Sequence, residues 1–341
     1  MQNYRRRRKD RFPKTERRKW AIRALVFIIV VALGSAVYAG TQIWDAIAKG
    51  QDELEKSKLR EGQIDMDKDP FAILLIGSDA RKEGGHNWRP DVLIVAAINP
   101  KKKSMKMISI PRDSYVEIAN TNGGKAKINH AALYGYQHGV DPVKNTRETV
   151  ENFLHIPIDY YAKVNFKGFM DSVDVLGGVD INNKKAFSQG TFGGGKLFFK
   201  LGPQHLDGEH ALAYARMRKK DPRGDLGRNE RQREVLNQLV DKAISLGGIT
   251  KFSELTQKVG ANFSYSFKPT EIPSLIAIYK SIPKKNTETL NLKVTNGRRD
   301  RQDVVLVDKQ DSERISKILQ EQLEWKPKND QQGTQQTDNQ E

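Results

Sequence analysis

From residue 24 to residue 44 the chain runs for 21 residues without a single charge, through the segment LVFIIVVALG. Wound as a helix at ~1.5 Å per residue, that run is roughly 31 Å long, the thickness of a bilayer's hydrocarbon core. Trp20 and Trp44 stand at its two ends, where indole rings favour the membrane interface. Residues 1–23 carry eleven Arg and Lys against Asp10 and Glu16, which is +9 of the chain's net +16. All of that charge precedes the apolar run, so the positive-inside rule places residues 1–23 in the cytoplasm and everything after Asp45 outside. The expectation is one transmembrane signal anchor in the cell membrane. A cleaved signal peptide competes with it, because Val37-Tyr38-Ala39 suits a signal peptidase, although the apolar core is long for an h-region.

With the basic tail set aside, the body is only mildly basic and lacks the charge field of a nucleic-acid binder. The expected partners therefore exclude nucleic acid. The chain has no cysteine, which removes disulfides, thiolate nucleophiles and Cys-ligated zinc. At 341 residues, 37% of them hydrophobic, it is long enough for one large packed domain or two modest ones.

Residues 45–69 mix charges at helical spacing and read as a short stalk, helical in part. A domain is expected over 70–325, and the Gln/Asn/Asp-rich residues 326–341 as a disordered polar tail. Compact apolar runs at 71–77, 92–98 and 106–110 predict buried strands, the last two joined by the turn-like NPKKKS. Residues 131–136 and 142–154 read as helices and 160–164 as a strand. Phe166, Phe169, Met170, Val173 and Leu176 recur at the spacing of an amphipathic helix. A short strand at 179–181, a flexible GTFGGG stretch ending in LFF, and helices at 209–217 and 230–246 follow. Two more helices, a strand near 290–294 and a helix at 312–323 complete an α/β pattern.

If the first three strands run up, down and up, three polar motifs meet at one edge of the sheet. Gly77-Ser78-Asp79 ends the first strand, Arg89-Pro90-Asp91 opens the second, and Pro111-Arg112-Asp113 follows the third. That edge would gather Asp79, Arg81, Asp91, Arg112 and Asp113. Isolated buried charges cost several kcal/mol, on the order of the whole stability margin, so such a gathering asks for a cation and an anionic ligand. Two carboxylates without a Cys/His cluster suit Mg²⁺, which takes one or two carboxylates and leaves the rest to phosphate and water. Each aspartate alone would more ordinarily be a turn or cap residue.

A second cluster lies in YARMR, Tyr214 to Arg218, and in GDLGRNERQR, Gly224 to Arg233. Arg228 and Arg231 are three apart at a helix start and are expected to share a face. The guanidinium fork binds phosphate oxygens in pairs and keeps its charge. The bland alternative is a solvated basic loop with weak Arg–Glu pairs.

The stretches ILLIGSDAR, RPDVLIVAAINPKKKSMKMISIPRDSYVEI, KINHAALYG, VLGGVDI, LDGEHALAYARMR and GDLGRNERQREVL resemble, in order and spacing, the LytR-CpsA-Psr family. Within it, the chain looks closest to the wall teichoic acid transferases. The resemblance implies an α/β/α sandwich with a central mixed sheet, preceded by one transmembrane helix. It implies transfer of an anionic glycopolymer from undecaprenyl pyrophosphate to N-acetylmuramic acid of a peptidoglycan strand. Carried over by motif, Asp79 and Asp91 hold Mg²⁺, while Arg81, Arg112, Arg216, Arg218, Arg228, Arg231 and Gln232 contact the pyrophosphate. Arg112, Asp113 and Asp225 form the catalytic set, the acids orienting arginines or taking the proton of the incoming hydroxyl. Between Arg218 and Asp225 the segment KKDPRG leaves the role of Arg223 open.

The lipid tail needs an apolar channel, with the helix bearing Phe166, Phe169 and Met170 as a candidate wall, though such residues are ordinarily core. His130 reads as structural, having no second histidine at ligand spacing. Two other functions compete. One is a membrane-tethered transcriptional regulator using residues 1–23, and the other a lipid pyrophosphate hydrolase with water as acceptor.

Overall fold

The structure, a computed structural model, describes residues 48, 51–52, 54–79, 88–191, 194–246 and 249–327. The expected cytoplasmic tail and anchor, Arg81 and most of the polar tail lie outside those residues. Among the described residues no helix is long and apolar enough to cross a membrane.

A six-stranded mixed sheet organises the domain: β1 (Phe71–Ser78), β2 (Pro90–Asn99), β3 (Ser104–Ser109), β4 (Tyr160–Asn165), β5 (Phe263–Tyr265) and β6 (Thr287–Leu290). Their spatial order is β5-β4-β1-β2-β3-β6. The first three strands form the antiparallel up-down-up set read from the sequence. β4 runs parallel to β1, β6 parallel to β3, and β5 antiparallel to β4. Helices α1 (Ala131–Gln137), α2 (Pro142–Leu154), α3 (Phe166–Val175), α4 (Gly208–Arg216), α5 (Asp225–Ser245), α6 (Ile249–Val259), α7 (Ile272–Ser281) and α8 (Lys309–Gln322) complete the frame.

Both faces of the sheet are covered, which is why its central strands read as unbroken apolar runs rather than alternating ones. On one face Ala72, Leu74, Ile76, Leu93 and Val95 pack with Val143, Val150 and Leu154 of α2 and Ile315 and Leu319 of α8. Opposite the other face, α3, α4 and α5 form a separate core around Val173, Ala211, Tyr214, Val235 and Leu239. That second core also takes in two antiparallel strand pairs, Val179–Asn183 with Gly202–Leu206 and, inserted between them in sequence, the hairpin of Phe187–Gly190 with Lys196–Phe199.

Three expectations are corrected. Residues 51–69 are not a free stalk. Gln51 bridges to Tyr265, and the Tyr161 hydroxyl donates to Asp52 at 2.8 Å. Arg60 forks onto Asp159 at 2.9 and 3.0 Å, and the Trp325 indole donates to the Leu59 carbonyl at 3.1 Å. Glu55, Lys58 and Arg60 find partners on the domain, while Asp65 and Lys68 pair locally, and residues 54–69 contain no helix. The strand expected near 290–294 is two strands, β6 ending at Leu290 and a hairpin strand opening at Val294. Lys293 breaks the run by donating its N–H to Asp311 at 2.7 Å. Helix α5 starts at Asp225, not 230, because Gly224 adopts φ +56° and turns the chain directly into it.

Candidate active site

The site grows from the end of the sheet where β1 stops and β2 begins. Register there skips a residue: Gly77 faces Val92 while Ser78 faces Pro90. Asp91 is thus the extra residue of a β-bulge, a device that re-aims a side chain at a sheet end. Asp79 clamps the same point. Its N–H donates to the Arg89 carbonyl at 3.0 Å, and its Oδ1 accepts the Arg89 N–H at 2.7 Å. Asp79 and Asp91 thus flank the same bulge, Asp79 bonded to the Arg89 backbone and Asp91 lying two residues further on.

Arg112 and Asp113 follow β3 at this edge. Their backbone is pinned on two sides, the Arg112 carbonyl accepting from Asn129 N–H at 3.1 Å and the Asp113 carbonyl from Val305 N–H at 2.8 Å. The Arg112 guanidinium donates to Asp91. Asp113 lies 3.3 Å from the Lys127 ammonium and 3.5 Å from Nη1 of Arg218. Arg218 continues to Asp225 at 2.8 Å, and Asp225 accepts from Arg228 at 2.9 Å. Asp91, Arg112, Asp113, Arg218, Asp225 and Arg228 form one chain of alternating sign, drawn from β2, the loop after β3, and the turn into α5.

Beside this chain lies a cavity of about 690 Å³. Leu75, Val92, Ile94, Ala162 and Val164 give it a floor on the sheet, and Phe166, Phe169, Leu212, Ala215 and Leu236 give it a roof on α3, α4 and α5. It fills the gap between the two cores. Of the three residues considered for a channel wall, Phe166 and Phe169 line this cavity and Met170 does not. Asp91, Arg112, Arg216, Arg218, Arg228 and Gln232 also line it, at the sheet-rim end. The Arg216 guanidinium lies 4.6 Å from the centre of the Phe166 ring, a cation–π contact joining the two linings.

The electrostatics are unbalanced toward positive. Burial holds the Arg228 pKa below its ordinary value, and the charges of Arg112 and Arg218 add to that while Asp225 and Asp91 oppose it. For Arg112, burial works the same way, but Asp91, Asp113 and Asp225 outweigh it and its pKa stands above normal. The Nε atoms of Arg112 and Arg228 are buried and make no hydrogen bond. Buried guanidinium N–H groups without acceptors are costly unless an anion completes them.

Arg231 departs from expectation. Its guanidinium donates to Asp221 at 2.6 Å and to the Met217 carbonyl, and it lines a separate cleft of about 430 Å³. Arg223 borders the same cleft and pairs with Glu230 at 2.5 Å. Positions three apart on a helix are offset by about 60°, and here that suffices. Arg228, Gln232 and Leu236 form one ridge facing the cavity, while Arg231 and Val235 lie on the next.

Sequence reading missed Lys127, which a short hairpin strand, Lys125–Lys127, delivers to Asp113. It also missed the rim made by Ser188, Gln189, Gly190, Gly195 and Lys196, for which the glycine run was the available signal. His130 stands at the margin. Burial first, then Arg89 and Lys127, hold its pKa below normal against Asp113.

Of the two acids expected to hold Mg²⁺, Asp91 lines the cavity and accepts from Arg112, while Asp79 is bonded to the Arg89 backbone. Among the described residues no group of three or more acids, histidines or cysteines is arranged to cage a metal, so a metal held there would take its remaining oxygens from phosphate and water.

The LytR_cpsA_psr family model matches residues 36–321. This chain belongs to the LytR-CpsA-Psr family. A family relative from Bacillus subtilis (strain 168), the polyisoprenyl-teichoic acid–peptidoglycan teichoic acid transferase TagV, is 39% identical over 314 residues, covering 89% of this chain and 78% of TagV. The crystal structure of B. subtilis TagV superposes with a TM-score of 0.65 at 40% identity, over 76% of this chain and 99% of that one. Another LytR-CpsA-Psr structure, YwtF (TagT) with bound octaprenyl pyrophosphate lipid, gives a TM-score of 0.61 at 30% identity, over 80% of this chain and 98% of that one.

Proposed function

We propose that this chain is a membrane-anchored phosphotransferase. It moves an anionic glycopolymer, wall teichoic acid, from undecaprenyl pyrophosphate to the N-acetylmuramic acid of peptidoglycan. The observation that carries this reading is the union of an apolar chamber with buried guanidinium groups at one end. A cavity of about 690 Å³ kept open by packed helices forfeits contact energy unless an apolar guest fills it. A prenyl tail supplies that guest, and its pyrophosphate supplies acceptors for the guanidinium groups at the rim, among them Arg228, whose buried Nε makes no hydrogen bond. TagT, with its bound octaprenyl pyrophosphate, is a family precedent for such a ligand.

In the reaction the muramic acid hydroxyl attacks the polymer-side phosphorus. A P–O bond forms to the glycan, the P–O bond to the bridging oxygen breaks, and undecaprenyl phosphate departs. Arg112, Arg218 and Arg228 hold phosphate oxygens where charge develops, which is the main lever available for phosphoryl transfer. Arg216 and Gln232 border the same end, and Arg81 belongs to the same set by motif. Asp113 and Asp225 each lie between cations and aim the arginines. Either carboxylate would also receive the proton of the attacking hydroxyl. Mg²⁺ held by Asp79 and Asp91 would neutralise pyrophosphate charge.

Residues 24–44 anchor the chain, with residues 1–23 cytoplasmic and the catalytic domain outside. Their charge asymmetry supports that orientation.

The test uses the full chain in vesicles with a sugar-bearing lipid pyrophosphate, a glycan acceptor and Mg²⁺. A new phosphodiester on the glycan, lost on chelation, is the expected result. Release of free sugar phosphate at the same rate without acceptor would identify a hydrolase instead and overturn the transfer step.

A further inference from the structure

Phe198 and Leu201 are the most exposed of the large apolar side chains among the described residues, at 71% and 69%. Their exposure is not an accident of a loose loop. In the strand Lys196–Phe199 the side chains alternate, and Leu197 and Phe199 join the core of α3, α4 and α5. Phe199 stacks on Phe187 with ring centres 4.6 Å apart. That packing fixes Phe198 on the outer side together with Lys196, whose ammonium lies 5.6 Å from the centre of the Phe198 ring.

Charge points to the occupant of this surface. Lys196 and Lys200 flank Phe198 in a stretch, residues 184–204, that contains no acidic residue; Lys184 and Lys185 turn instead to the cleft of Arg231, where Lys184 pairs with Glu230 at 3.1 Å. Lysine stems lie along apolar surface while their ammonium groups reach headgroups, and aromatic rings settle at the same depth. An apolar pair rimmed by lysines is the pattern of an interfacial anchor on anionic lipid. A protein partner would need a complementary acidic surface and gains nothing from the hairpin's position at the cavity rim. A bilayer does, because the same hairpin supplies Ser188, Gln189, Gly190, Gly195 and Lys196 to that rim.

We infer that the hairpin of Phe187–Gly190 and Lys196–Phe199, with Lys200 and Leu201, seats in the headgroup layer of an anionic bilayer and holds the cavity rim against it. The inference rests on the lipid reading of the cavity and adds the route of entry. The prenyl tail passes from bilayer to chamber without crossing water.

The test reconstitutes the full chain carrying Phe198→Trp in vesicles of phosphatidylglycerol and phosphatidylcholine, with and without acyl-brominated lipid. The wild-type chain supplies the background from its four native tryptophans. Tyr136→Trp, exposed on α1 beyond the opposite face of the sheet, serves as the control. Bromolipid is expected to quench the fluorophore at 198 strongly and that at 136 weakly. Lys200→Glu and neutral vesicles should each reduce the quenching. Equal quenching at both positions, or a blue-shifted emission at 198 that bromolipid leaves unchanged, overturns the proposal; the latter marks a protein occupant. Equal quenching in neutral and anionic vesicles overturns the choice of anionic lipid. A Phe198→Ser, Leu201→Ser chain should also turn over a long prenyl carrier in vesicles more slowly while handling a short, water-soluble carrier normally. The quenching is read without catalysis, so its failure is separable from failure of the transfer reading.

Discussion

Arg228 and Arg231 lie within one turn of α5 yet end in different places. Arg228 reaches the apolar cavity through Asp225, while Arg231 reaches Asp221 in a separate cleft. Their spacing alone would have made them one anion-binding pair. Asp221 separates them, and α5 is held against it so closely that a Cβ on Gly227 would collide with its carboxylate.

Arg231 is therefore expected to matter for stability more than for ligand contact. With side-chain exposures of 8% and 7%, the Arg231–Asp221 pair is buried, and removing Arg231 leaves Asp221 only the more distant Arg223 side chain at 3.5 Å. Arg231→Ala should destabilise the fold by about 3–5 kcal/mol, and Arg231→Met with Asp221→Leu should recover most of it. Denaturant unfolding of the three chains checks this.

Arg112 makes the opposite case. Arg112→Lys keeps the charge but loses the planar fork that donates to Asp91 while its Nε stays 3.7 Å from Asp113. Transfer should fall about 10²–10³-fold, the effect of losing a donor to developing charge. The thermal midpoint should move little. Steady-state rates and melting curves on the same preparation separate the two effects.

Acid should loosen the lower face of α5. Burial raises the Asp221 carboxyl, but the Arg231 hydrogen bond and charge more than offset it, leaving its folded pKa below the ordinary carboxylate value. A depressed pKa contributes stability that is complete above the unfolded value, about 3.9, and is lost as pH falls through the folded one. The wild-type melting temperature should drop more steeply below about pH 4 than that of Asp221→Asn, which already lacks the term.

The chamber can be filled from within. Ala162 points from β4 into the cavity. Ala162→Phe adds a ring to space that is open without ligand, so binding of a long prenyl pyrophosphate should weaken. Stability should hold or rise, because the void shrinks. Equilibrium binding together with melting temperature checks both.

Much of this site was legible because its parts lie beside strong local signals. Three apolar runs separated by polar turns fixed the alternation of β1, β2 and β3, and alternation alone brings Asp79, Asp91 and Arg112 to one edge. The bulge at Asp91 was not legible, since strands buried on both faces show no alternation for a one-residue skip to disturb. Nor were the partners of residues 51–69, whose charges satisfy a local helical rule equally well. Lys127 escaped for a related reason: a three-residue hairpin strand carries too little pattern to be seen, and only tertiary packing sets it against Asp113. The split between Arg228 and Arg231 needed the position of Asp221, which composition cannot give.

The central claim is that guanidinium groups at the cavity end grip a lipid diphosphate. Equilibrium binding of a prenyl pyrophosphate, the matching monophosphate and the free prenol to the full chain and to Arg228→Gln tests it most directly. Charge-assisted hydrogen bonds contribute about 1.5–3 kcal/mol each, so the wild-type chain should prefer the pyrophosphate, and Arg228→Gln should weaken it by about 10–150-fold while leaving the prenol unchanged. Equal affinity for all three lipids, unaltered by the substitution, would contradict the account.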